Sequence, residues 1–145
     1  MDVLADEPEK KKRKSGIPTG NAGEYLVMGE LLRRGFDAQL ADRNTKGYDL
    51  VAGPHDAALK RVQVKTVRQQ PWYVNRESFS GARLNEITVY VLLGGEKAEK
   101  PVRFFIARNR DVAEHAHYPP DWPKNGFVKL NAIEMHENLW DILRE

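Results

Sequence analysis

The chain has 145 residues, 41% hydrophobic and 30% charged, with a formal net charge of +2, a balance that suits one soluble domain with a single shared core. Cysteine is absent, which excludes disulfides and thiolate-held zinc or iron–sulfur centres and suits a cytoplasmic chain. No apolar run of about 18 residues is present, and the polar N-terminus lacks the apolar stretch of a secretory signal, so neither a membrane-spanning helix nor secretion is expected.

Residues 1–16 read as a disordered basic tail, acidic at first and then carrying Lys10-Lys11-Lys12-Arg13-Lys14. Such a run can grip phosphates without specificity, act as a nuclear import signal, or simply keep the chain soluble. Residues 17–145 read as a single domain. Asn21 followed by Glu24 has the spacing of a helix cap, and Tyr25, Leu26, Met28, Leu31 and Leu32 recur at helical intervals until Gly35, which is placed to end the helix. Residues 36–40 alternate as a strand, 42–47 are turn-like, and 48–52 form a second strand closed by Gly53-Pro54. Leu59 to Val67 has a period of two, with Val62, Val64 and Thr66 on one face and Arg61, Gln63 and Lys65 on the other. Ile87 to Leu93 is continuously apolar, the pattern of a strand buried on both faces, and Val102 to Ala107 is expected to pair with it antiparallel. A short helix over 109–116, a proline-rich loop over 118–123 and a helix over 131–143 complete the reading. The fold expected is α/β, one mixed sheet flanked by helices.

Asp49 stands just before the apolar Leu50-Val51-Ala52. Aspartate is depleted from strands, so it is either a turn residue bonded to its own backbone or a functional group held beside the sheet. Gln63 and Lys65 point the same way from the next strand. If the two strands pair, a carboxylate, an amide oxygen and the Val64 carbonyl could together bind a hard divalent cation such as Mg²⁺ or Mn²⁺, which takes oxygen ligands. The Lys65 ammonium could then orient or deprotonate the attacking water, or neutralise developing charge. Glu24 offers a further carboxylate, unless it serves as the capping glutamate of Asn21.

These residues together, Glu24 on an opening helix, Asp49 in Gly-Tyr-Asp-Leu-Val and Gln63-Val64-Lys65-Thr66, resemble the PD-(D/E)xK nucleases. The nearest branch is that of the small Holliday-junction-resolvase-like and restriction-endonuclease-like proteins. The resemblance spans about residues 20–107 and implies an αβββαβ core, with Asp49 as the metal-binding aspartate, Gln63 in the second acidic position, Lys65 as the catalytic lysine and Glu24 as the helix-borne glutamate. Glutamine at position 63 removes one negative charge from that pattern. The helix usual after the third strand is also hard to place, because Pro71-Trp72-Tyr73-Val74 looks extended.

Residues 60–83 carry six Lys/Arg against one Glu, a net +5 in an otherwise slightly acidic chain, which is either a phosphate footprint or a solvated surface. Arg61, Arg68, Arg76 and Arg83, with Trp72 and Tyr73 for base stacking and with Arg43 and Lys46 as a cationic rim, are the candidate nucleic-acid contacts. The sequence thus leads to a metal-dependent endonuclease acting on DNA, for which a homodimer would suit paired-strand cutting. The alternative is a catalytically idle nucleic-acid-binding module, or an interaction subunit of a repair or defence complex on the same fold.

Overall fold

The computed structural model describes residues 17–42 and 44–145; the expectations for the basic tail and for Arg43 lie outside the described residues. Helix α1 runs Ile17–Arg33, starting before the cap expected at Asn21. Pro18 is tolerated there because a first-turn N–H has no helical acceptor to lose. Asn21 is therefore an exposed residue within the helix, and Glu24 is not its capping partner. The helix ends as expected: Gly35 has φ +88°, the Phe36 N–H donates to the Leu31 carbonyl at 3.0 Å and the Gly35 N–H to Leu32 at 3.1 Å, a left-handed cap that satisfies the final carbonyls.

Strands β1 (Asp37–Leu40), β2 (Leu50–Gly53) and β3 (Lys60–Val67) follow, then a short β4 (Trp72–Asn75), two 3₁₀ turns (Arg76–Phe79 and Gly81–Asn85), β5 (Ile87–Leu92) and β6 (Arg103–Arg108). The main sheet has the order β1-β2-β3-β5-β6, with β3 and β5 parallel and the other pairs antiparallel. Helix α2 (Asn109–Ala113), β7 (Asn125–Val128), α3 (Leu130–Ile133) and two further 3₁₀ turns (Glu134–His136 and Trp140–Arg144) close the chain.

The alternation in β3 decides which layer covers each face. Val62 and Val64, with Leu50, Val89, Val91 and Ile106 of the neighbouring strands, pack under Val27 and Leu31 of α1 and under Trp140 and Leu143. On the other face, Tyr90, Phe105 and Ala107 are covered by Trp72 and Val74 of β4, Val112 of α2, Val128 of β7 and Ile133 of α3. β5 lies in the sheet interior between these layers, which accounts for its unbroken apolar run.

Three expectations need correction. No α-helix crosses from β3 to β5; β4 and the 3₁₀ turns make that connection, because Trp72 and Val74 alternate inward while Tyr73 faces out. β7 was not foreseen, and it pairs antiparallel with β4 as a separate two-stranded ribbon. The C-terminal helix expected over 131–143 is broken at Asn138, whose φ is +58° and whose N–H donates to the Phe104 carbonyl at 3.0 Å. Beside the break, Glu137 is held by the Arg103 guanidinium at 3.0 and 2.9 Å.

Candidate active site

Regular pairing between β2 and β3 begins at Leu50↔Val62, and Asp49 stands immediately before it. Its N–H donates to the Val62 carbonyl at 2.9 Å, while its own Oδ2 accepts the Val64 N–H at 2.8 Å. The carboxylate therefore takes the place of a strand carbonyl where β2 turns away from β3. Backbone groups two residues apart share a side of a strand, so the Val64 carbonyl also faces the gap that β2 leaves. The turn reading of Asp49 fails, since this carboxylate reaches across to β3 rather than to its own backbone.

Two faces of the sheet meet at this gap. From one side α1 brings Glu24, half-buried, and sits so close to β3 that a Cβ added at the buried Gly23 would fall on the Thr66 hydroxyl. Gln63 and Lys65 stand on the face opposite Val62 and Val64, in register with Thr88 and Tyr90 of β5; neither lines the cleft of Glu24 and Asp49, and Lys65 is linked to Asp49 by charge. Glu24 and Asp49 line one cleft of about 400 Å³, together with Tyr25, Tyr48, Asp42 and Thr45.

The electrostatics tie three of these groups together. Burial, and then the neighbouring Asp49 charge, raise the Glu24 carboxyl above its ordinary range. Burial lowers the Lys65 ammonium; Asp49 opposes that shift and the Arg83 guanidinium adds to it. Two carboxylates that repel each other in a partly desolvated cleft, with a backbone carbonyl turned to the same gap, form a hard-oxygen donor set that fits a divalent cation. Among the described residues no three His, Asp or Glu side chains gather as a metal cage, so the Gln63 amide and the Val64 carbonyl would have to supply the remaining protein oxygens.

One contributor had no signal in the sequence. Asn109, at the start of α2, is 2% exposed; its Nδ2 donates to the carbonyls of Ser78 at 3.0 Å and Arg83 at 2.9 Å, and its Oδ1 accepts the Thr88 hydroxyl at 2.7 Å. This buried network fastens the 3₁₀ turns to β5 and so holds Arg83 beside Lys65. Arg83 also donates to the Gly47 carbonyl at 3.3 Å, two residues from Asp49.

The expected nucleic-acid contacts divide. Arg61 lies over the Tyr48 ring at 5.1 Å, at the cleft, and Lys46 is exposed in the adjoining turn. Arg76 lies 4.1 Å over the Tyr118 ring, and Tyr73 is 60% exposed. Arg68 is turned to the carbonyls of Gly95 and Glu96 at 3.5 and 3.3 Å, bracing the β5–β6 turn. Trp72 does not face solvent: it is fully buried, edge-on to Tyr90 and Phe105, with its indole N–H on the Val91 carbonyl at 3.1 Å. It is a core residue and offers no surface for stacking.

No family model and no curated protein matches the sequence. Two solved structures do match the fold. Hjc, a Holliday junction resolvase from the archaeal hyperthermophile Archaeoglobus fulgidus, is similar at a TM-score of 0.54 and 17% identity, covering 87% of this chain and 97% of its own. The bacterial homing endonuclease I-Ssp6803I is similar at a TM-score of 0.54 and 17% identity, covering 90% of this chain and 91% of its own. Both neighbours are nucleases, and one is a junction resolvase, the branch that the Glu24, Asp49 and Gln63-Val64-Lys65 motif resembles. The chain thus has the restriction-endonuclease-like fold, a five-stranded mixed sheet flanked by helices.

Proposed function

We propose that the protein is a metal-dependent DNA endonuclease whose site is the gap between β2 and β3. What supports this reading is the charge coupling of both Glu24 and Lys65 to Asp49, on a fold shared with two nucleases. Asp49, Glu24, the Gln63 amide and the Val64 carbonyl would hold Mg²⁺ or Mn²⁺, which when bound supplies Lewis-acid neutralisation of charge on the scissile phosphate.

The chain's own residues do the rest. Asp49, fixed by the Val64 N–H, keeps its carboxylate pointed into the gap. Lys65, its proton affinity reduced by burial, would take a proton from the attacking water at Nζ as the new P–O bond forms; the bond from phosphorus to the 3′ or 5′ oxygen breaks, and that oxygen leaves with a proton from solvent water. Arg83, placed by Asn109, lowers Lys65 further and is available to a phosphate oxygen. Arg61 and Lys46 add a cationic border at the cleft.

A catalytically idle DNA-binding module is the rival reading, favoured by one residue, the uncharged Gln63 in the second acidic position. A nuclease panel of linear, branched and single-stranded DNA with Mn²⁺, run beside Lys65→Ala, separates the two. The enzyme reading expects cleavage by the wild type, lost in the variant with DNA retention intact. Retention without cleavage in the wild type would favour the idle module.

A further inference from the structure

The β4–β7 ribbon carries a second aromatic layer that the core does not use. Trp72, Val74 and Val128 point into the protein, so Tyr73 and Phe127, which are paired in register, point out. Trp122 lies against both, its ring centroid 6.2 Å from Tyr73 and 6.0 Å from Phe127. Tyr73 nevertheless remains 60% exposed. The two rings border a cavity of about 730 Å³ whose rim includes Lys124, Asp121 and Asn125.

The platform is stiff. Prolines 119, 120 and 123 flank Trp122, whose N–H donates to the Pro119 carbonyl at 2.9 Å. Behind it, His117 and Phe127 exchange two backbone hydrogen bonds of 2.9 Å. Gly126 lets that segment pass closely, since a Cβ there would strike the His117 carbonyl and the Tyr118 ring. One cation lies alongside: Lys124 is exposed on the cavity rim, whereas the Arg76 guanidinium is taken up over the Tyr118 ring.

Resting on the DNA reading above, we propose that Tyr73 and Trp122 form a stacking subsite for an unpaired nucleobase of the DNA substrate, with Lys124 on the rim holding its phosphate. A paired base in an intact duplex cannot present its face to these rings, whereas a splayed or single-stranded base can. The carboxylate of Asp121 is an acceptor for an exocyclic amine and repels phosphate, which directs the backbone toward Lys124. The chain runs directly from this ribbon through residues 76–85 to Arg83, at the proposed cleavage site. A nucleotide is favoured over a protein partner because the Lys124 ammonium beside the two rings suits a base with its phosphate. The substrate implied is DNA with an unpaired segment.

The test uses the full chain and a single-stranded oligothymidylate, beside a blunt duplex of equal length. Of the three tryptophans, Trp72 and Trp140 are buried at 0% and 2% exposure, so quenching of the fluorescence reports on Trp122. The oligothymidylate should quench and the duplex should not. Tyr73→Ala should weaken oligothymidylate binding about tenfold, Tyr73→Phe by less than about twofold, and neither should change duplex affinity. Absence of quenching by oligothymidylate, as for a protein-docking surface, would overturn the proposal. So would equal losses in the Ala and Phe variants, or an equal loss on duplex. Binding is read without metal, so a failure of cleavage leaves this result intact and counts only against the nuclease reading.

Discussion

Glu24 is held in the protein at a cost when no cation is present. Its folded pKa lies above the ordinary value of 4.5, so the native state binds the proton more tightly than the unfolded chain does. That contribution is fully present below the ordinary value and is lost as pH rises through the raised one, leaving a net penalty at neutral pH. Glu24→Gln should therefore raise the thermal midpoint measured at neutral pH in chelator, and should reduce the further stabilisation that Mn²⁺ gives the wild type. An unchanged or lower midpoint in chelator would count against the charge conflict. Lys65 shifts the other way, below 10.5. If the neutral amine accepts the proton from water, cleavage should rise with pH and level off below that value, and Lys65→Ala should lose about 100-fold or more. A rate that falls as pH rises would show that the ammonium is the working form. The side on which Gln63 and Lys65 stand was legible, because a two-residue period fixes which way a strand side chain points; Asp49 precedes β2, and its bond to the Val64 N–H had no local signal. Glu24 was only half legible: its spacing from Asn21 mimics a cap that the earlier start of α1 removes, and the close packing of α1 on β3 at Gly23 depends on the tertiary fold.

That packing makes α1 an element whose position can be tested. A Cβ at Gly23 would meet the Thr66 hydroxyl and lie 2.7 Å from the Thr66 Cβ. Gly23→Ala should thus force the helix away from β3, with a destabilisation of about 1–3 kcal/mol in denaturant melts and a loss of cleavage as Glu24 withdraws. Thr66→Ala in the same chain should restore part of the stability and not all, because the Thr66 Cβ stays. The crossover depends on Asn109 in the same sense. Asn109→Ala would leave the buried Thr88 hydroxyl and two carbonyls short of partners, a loss of about 1–3 kcal/mol by chemical denaturation, and would loosen Arg83. β3 and β5 were readable from their own residues, since one alternates and the other is apolar but for the buried Thr88. β7 was not, because Asn125–Val128 becomes a strand only by pairing with β4, some 50 residues earlier, and a local pattern carries no trace of that partner.

At the scale of the whole molecule, the net +5 of residues 60–83 is spread over different surfaces. Arg61 and Arg83 border the cleft, Arg76 belongs to the ribbon, and Arg68 braces a turn. Charge per segment was legible, whereas its division among surfaces depended on the tertiary fold, as did the burial of Trp72. If Arg61 contacts phosphate, Arg61→Ala should lower the salt slope of duplex binding by about one counterion, while Arg68→Ala should leave the slope unchanged; equal slopes for both would contradict that division. Asp49→Asn tests most directly whether Asp49 holds a cation for phosphodiester cleavage, because asparagine can still accept the Val64 N–H while losing the charge. The measurement is cleavage of the DNA panel with Mn²⁺ and with chelator, by wild type and variant at matched folded fractions. Cleavage should occur only with the metal and fall about 100-fold or more in Asp49→Asn; cleavage in chelator, or a variant as active as the wild type, would contradict a cation held by Asp49.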